Sequence, residues 1–170
     1  MPERDVVTVP HPVLKTRAVP SGGPDPALAA DLVDTMVVSP GCVGLAAPQL
    51  GVSRRAFCLD VSRHPKAKDA NHGLIVLFDP ELLLSEGSEV AREGCMSVPD
   101  FTADVRRALS VVVRGTDPDG AERVIEAEGF EARALQHELD HLEGLLILDR
   151  VASTRTDVFR RKVYQPKPRS

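Results

Sequence analysis

No stretch of the 170 residues approaches the apolar length needed to cross a bilayer. The first residues, Met1-Pro2-Glu3-Arg4-Asp5, are charged where a secretory leader is apolar. These absences make a cytoplasmic protein with no membrane partner the expectation. Cysteine is scarce: there are three, an odd number that excludes a complete disulfide framework and suits free thiols in a reducing compartment. An excess of positive charge is lacking too. With 21 Lys and Arg against 25 Asp and Glu, the formal charge of −4 argues against nucleic-acid binding by the surface as a whole. There is no internal repeat. What remains is ordinary for a globular chain, 42% hydrophobic and 27% charged, and long enough for one domain with a proper core.

Pro24-Asp25-Pro26 followed by Leu28, Leu32, Val33 and Met36 predicts a helix ending before Pro40. Residues 55–61 and 74–78 read as buried strands, with Cys58 in the core. The polar stretch 62–72 between them reads as a loop whose histidines, His64 and His72, are solvated. Residues 109–114 and 123–127 flank Asp117-Pro118-Asp119-Gly120, which is hairpin chemistry. Gly129 then ends the strand, and a second helix follows with Ala132, Leu135, Leu139 and Leu142 as its buried stripe. The order predicts an α+β fold of mostly antiparallel sheets packed around a central helix, plus an N-terminal helix. Residues 1–150 make one catalytic domain. After Arg150 the composition turns basic, with six Lys or Arg against one Asp between Arg155 and Ser170. This tail, 151–170, reads as a solvated end or as an anchor for an anionic partner.

That second helix carries Gln136-His137-Glu138-Leu139-Asp140-His141. At helical spacing His137 and His141 stand one turn apart on one face and can bind one divalent ion through two nitrogens. Glu138 projects beside such an ion without ligating it, free to accept a proton from water. A charged, solvated helix can present the same letters by chance. The third ligand decides the class. A metzincin places a third His six residues after the second, with a Gly between; Gly144 is present, but Ile147 occupies the ligand position. A better candidate is Cys95 in Glu93-Gly94-Cys95-Met96-Ser97-Val98-Pro99, since a thiolate and two imidazoles leave a tetrahedral ion one open position. Gly94 lets a substrate backbone approach. Taken alone, Cys95 is also the pattern of an inert buried thiol. In the segment from Gly41 to Gly51, small residues surround one amide, Gln49, which is placed to donate to an oxyanion or simply faces solvent.

Together these segments resemble the peptide deformylase family. Its motifs G-x-G-L-A-A-x-Q, E-G-C-x-S and Q-H-E-x-D-H correspond to Val43 through Gln49, Glu93 through Ser97 and Gln136 through His141, in order and similarly spaced. The resemblance runs from about His11 to about Asp149. It departs from the pattern at Cys42, where the first motif glycine is expected, and at Met96, where Leu is usual. What the resemblance implies is a hydrolase that removes the formyl group from N-formylmethionine at the start of nascent polypeptides. Cys95, His137 and His141 hold Fe2+, with Zn2+ or Ni2+ also able to occupy the site. Glu138 is the acid and base, and the Gln49 amide and the Met96 backbone N–H meet the oxyanion. The peptide runs beside Val43, Gly44 and Leu45 with Gly94 opposite. Its methionine enters a pocket near Val43, Phe130, Arg133 and Ala134, the Arg133 head reaching water. Arg107 is expected to pair with Asp140. The competing readings are a noncatalytic module that binds formylated peptide, or the ribosome through the tail, and a zinc metallopeptidase. Oligomeric state stays open.

Overall fold

A proline at the first helical position and an Asp just before it start the first helix, α1 (Pro26–Val38): Asp25 accepts a hydrogen bond from the Leu28 N–H at 3.1 Å. Leu28, Leu32 and Met36 form its buried face. The computed structural model describes residues 3–67 and 71–161. It is α+β, as expected, with two antiparallel sheets and two helices.

The larger sheet contains β1 (Gly44–Ala46), β2 (Ala56–Leu59), β3 (Ile75–Glu86), β6 (Ser110–Thr116) and β7 (Glu122–Glu128), in that spatial order. The smaller contains β4 (Glu89–Cys95), β5 (Val98–Arg107) and β8 (Val158–Arg160). The unbroken apolar run of β2 has a direct cause, since both its faces are covered. Phe57 and Leu59 pack with Ile75, Leu77, Val113 and Ile125 against Ala132, Leu135 and Leu142 of the second helix, α2 (Gly129–Leu142). Ala56 and Cys58 face α1 with Val76 and Phe78. A third cluster fills the space behind the small sheet, where Leu14, Val98, Val105 and Ile147 enclose Cys95. Ile147, standing where a metzincin ligand would be, is thus a core residue.

Three features depart from the expected elements. Strand β3 runs on past Asp79-Pro80 to Glu86, through a register shift and with Leu82, Leu83 and Leu84 exposed, so periodicity and proline both hid its second half. The β4–β5 hairpin is not among the strands expected from the sequence. Its buried positions include Glu93 and Arg107, which break the apolar alternation by which a strand is recognised. The solvated end expected after Arg150 does not hold as far as Arg161. Val158, Phe159 and Arg160 pair with β5, and the Arg161 N–H donates to the Asp100 carbonyl. The rest of the basic tail, 162–170, lies outside the described residues.

Gly144 ends α2. Its φ is +74°, and a Cβ there would stand 2.8 Å from the Lys15 carbonyl carbon, so both conformation and space require glycine. Gly144→Ala should lower stability by about 1–3 kcal/mol from the backbone conformation alone, read as an earlier urea midpoint at unchanged m.

Candidate active site

Strand β4 delivers Cys95 at the hairpin turn, and α2 delivers His137 and His141 from one face. The three donor atoms lie within 4.8 Å of one another. Cys95 Sγ is 3.4 Å from His141 Nε2, and the two imidazole centroids are 5.0 Å apart. Burial would raise the Cys95 thiol, but the charge of His141 and hydrogen bonds from both histidines outweigh it and hold the thiol well below its ordinary value. A thiolate flanked by imidazoles fits a divalent cation, and the donor set suits Zn, Fe or Ni.

The ring of His137 is oriented from behind, its Nδ1 being 2.9 Å from Glu93 Oε1, which leaves Nε2 free to ligate an ion. Glu93 is the centre of a buried ion network. It accepts two bonds from Arg107, at 2.9 and 3.0 Å, and one from Arg133 at 2.6 Å. Arg107 extends to Asp140 at 2.5 Å, and Asp140 accepts two more bonds from Arg150, at 2.9 and 2.7 Å. The expected Arg107–Asp140 pair is therefore present. The Arg133 head does not reach water. It is buried, donating also to the Val105 and Glu89 carbonyls, because Glu93 needs a second guanidinium. Although burial raises both carboxyls, hydrogen bonds from His137 and Arg107 hold Glu93 well below the carboxylate range, and Arg150 and Arg107 hold Asp140 below it.

Glu138 is 3% exposed, and its Oε2 has no hydrogen-bond partner among the described residues. Burial raises its carboxyl pKa, against the lowering effect of His141 and His137, in the direction a proton-transfer group requires. Gly44 is glycine because of it, since a Cβ at that position would lie 3.1 Å from the Glu138 carboxyl carbon. Gln49 sits in a 3-10 turn, Ala47–Leu50. Its Oε1 accepts from the Ala46 N–H at 3.0 Å; its Nε2 donates to Ser97 Oγ at 3.1 Å and lies 3.7 Å from Cys95 Sγ. Ser97 Oγ donates onward to the Val7 carbonyl at 2.7 Å. Gln49 thus faces the cysteine, held from both ends.

A cleft of about 440 Å³ opens over these groups. Val43, Gly44, Gln49, Gly94, Met96, Phe130, Arg133, Ala134 and Glu138 all border it. Leu45 does not. It is fully buried against α1, because alternate residues of β1 point to opposite sides of the sheet. His64 is not simply solvated either: its ring stacks on Phe130 with centroids 4.3 Å apart and borders the cleft. His72 stays exposed, its ring 2.6 Å from the buried Glu131 carboxylate. Cys42, at the departure from the motif, borders the cleft as a neutral thiol, with burial and the nearby Glu138 pushing its pKa up to about 12. Sequence reading assigned no role to Glu93 and Ser97. Their place in the E-G-C-x-S motif was the available signal.

A family model described as polypeptide deformylase matches residues 3–157. The chain belongs to the polypeptide deformylase family. A peptide deformylase of Syntrophobacter fumaroxidans is 43% identical over 161 residues, covering 93% of this chain and 92% of the relative. One from Xylella fastidiosa is 39% identical over 97% of this chain and 96% of its own. Among solved deformylases, that of Thermotoga maritima superposes with a TM-score of 0.78 at 35% identity, covering 89% of this chain and 99% of that one. The Met-Ala-Ser-bound enzyme of Acinetobacter baumannii gives 0.78 at 31% identity, over 88% and 98%. Deformylases are metal-dependent hydrolases acting on N-formylated nascent peptides, and the Cys95, His137 and His141 group can bind such a metal.

Removing Arg107 would leave Glu93 and Asp140 as under-compensated buried charges. Arg107→Ala should therefore cost about 3–5 kcal/mol by denaturant unfolding at pH 7. Both carboxyls are depressed in the folded state. The stability they contribute is present above about pH 4, their unfolded range, and is lost as pH falls through their folded values. The cost of the substitution should accordingly shrink as pH falls below about 4, read from urea unfolding of parent and variant at about pH 7 and about pH 3.5.

Proposed function

We propose that this chain hydrolyses the formyl group from N-formylmethionine at the start of nascent peptides, with Glu138 as proton carrier. The observation that carries this reading is a buried carboxylate with an unpartnered oxygen beside a Cys–His–His trio, under a cleft of about 440 Å³. The Met-Ala-Ser peptide bound by the A. baumannii relative has the form of a deformylated product, which supports the same substrate class here. Cys95, His137 and His141 are the proposed ligands, and Fe2+ the proposed ion, with Zn2+ or Ni2+ as substitutes. When bound, such an ion supplies Lewis acidity and makes water a competent nucleophile near neutral pH.

The chain's own groups do the rest. Glu138, whose raised pKa suits it to exchange a proton, takes one from the attacking water as the water oxygen bonds to the formyl carbon. It returns that proton to the methionine nitrogen as the carbon–nitrogen bond breaks, leaving formate and a free amino terminus. Charge developing on the formyl oxygen is met by the Gln49 side-chain N–H and the Met96 backbone N–H. Ser97 holds the Gln49 amide in that direction. Val43, Phe130 and Ala134 line the methionine pocket, with His64 closing the far side of Phe130. Gly44 and Gly94 let the peptide backbone pass.

We propose the cytoplasm, where nascent chains emerge, as the place of the reaction. No helix among the described residues is long and apolar enough to cross a membrane. Ribosome contact through the basic residues after Arg155 fits their charge.

Formate release from formyl-Met-Ala-Ser, with metal content measured on the same sample, tests the assignment. Glu138→Ala should retain its metal and lose at least about a hundredfold in kcat; retained turnover would remove Glu138 from its role. Gln49→Ala should lose about a hundredfold, roughly 3 kcal/mol of barrier, at unchanged metal content.

A further inference from the structure

The smaller sheet presents one face to the cleft, and its side chains there can be read by register. Gly94 of β4 lies opposite Thr102 of β5, which lies opposite Phe159 of β8. Two residues from Gly94 stands Arg92, and two residues from Phe159 stands Arg161, on the same face. Arg92 is accounted for: its guanidinium lies 3.5 Å from the Phe159 ring centroid and its Nε bonds Asp104 at 2.8 Å. Arg161 is not. Its head lies in the space that Gly94 leaves open, with Nη2 2.8 Å from where a Cβ would be. Its one described acceptor is the Cys95 carbonyl, at 3.3 Å, and its Nε is buried with no partner among the described residues. No carboxylate among them lies within ion-pair reach of it. Lys66 borders the same cleft. The remaining acidic groups there, Glu93 and Glu138, belong to the ion network and to the proton-transfer chemistry.

We infer that Arg161 is a specificity-determining residue that favours peptides carrying a carboxylate at the second or third position, after formylmethionine. This rests on the proposed substrate path, in which the chain passes between Gly44 and Gly94. A backbone carbonyl can take one N–H of the guanidinium in every substrate. An Asp or Glu side chain takes the charge as well, a charge-assisted bond that a neutral side chain cannot make. A residue in the chain's basic terminal stretch thereby becomes part of the substrate groove, because β8 folds it back over the metal cysteine.

The test compares kcat/KM for C-terminally amidated formyl-Met peptides with Glu, Gln or Lys at position two, and in a second series at position three. In at least one series the parent should prefer Glu over Gln by about threefold to tenfold and disfavour Lys. Arg161→Met should bring the Glu/Gln ratio close to one, and Arg161→Lys should restore part of it. Raising salt from about 0.05 to 0.5 M should shrink the parent's ratio, a measurement that stands even if the variants fold poorly. A parent ratio of one in both series, or one that salt does not move, overturns the inference. So does an Arg161→Met variant that slows Glu and Gln peptides equally, because that is the signature of a mere brace on the Cys95 carbonyl. Hydrolysis of the Gln peptides without any acidic preference leaves the deformylase reading standing. No formate from any peptide overturns both.

Discussion

The Arg107 guanidinium, bonded on one side to Glu93 and on the other to Asp140, joins the two halves of the site. Glu93 lies on β4, two residues before Cys95, and Asp140 lies on α2, one residue before His141. One rigid, planar cation thus fixes the distance between the thiol and the imidazoles. Burying this many charges is costly unless each is matched, and Arg133 and Arg150 complete the matching. The same carboxylate that anchors Arg107 also orients His137. Support for the fold and preparation of the ligand set are one network.

Around that network the chemistry is arranged by contrast. Glu93 and Asp140 are surrounded by donors and held ionised. Glu138, on the same helix as Asp140, keeps one oxygen without a donor and is pushed toward the neutral form. These three carboxylates, one from β4 and two from α2, therefore differ in charge state because their environments differ. Gln49 follows the same logic. Its oxygen is tied to the Ala46 N–H and one donor hydrogen to Ser97, so the amide cannot turn its acceptor toward the cysteine.

Much of the fold was legible. The capping Asp25 and the spacing of Leu28, Leu32 and Met36 identify α1, and Asp117 to Gly120 identify the β6–β7 hairpin. The apolar run at Ala56 to Leu59 identifies a strand buried on both sides. The β4–β5 hairpin was not legible, because Glu93 and Arg107 occupy core positions where a pattern reader expects apolar residues. Strand β8 was hidden by its basic composition, its place decided by hydrogen bonding to the open edge of β5. Arg133 was misjudged for the same reason as the hairpin: a lone arginine near a pocket reads as snorkelling until the buried carboxylate it serves is in view.

By itself, then, the sequence determined the chemistry available. Ligand types, their helical spacing and the presence of a carboxylate beside them are local properties, set by residue identity and by the 3.6-residue period of a helix. Only the tertiary structure decided which of those groups meet and in what protonation state. Distances between Cys95 and the histidines, the unpartnered oxygen of Glu138, the burial of Leu45 away from the cleft and the arrival of Arg161 over Gly94 all depend on contacts between residues far apart in the chain. Their charge states depend on burial, which no local stretch of sequence encodes.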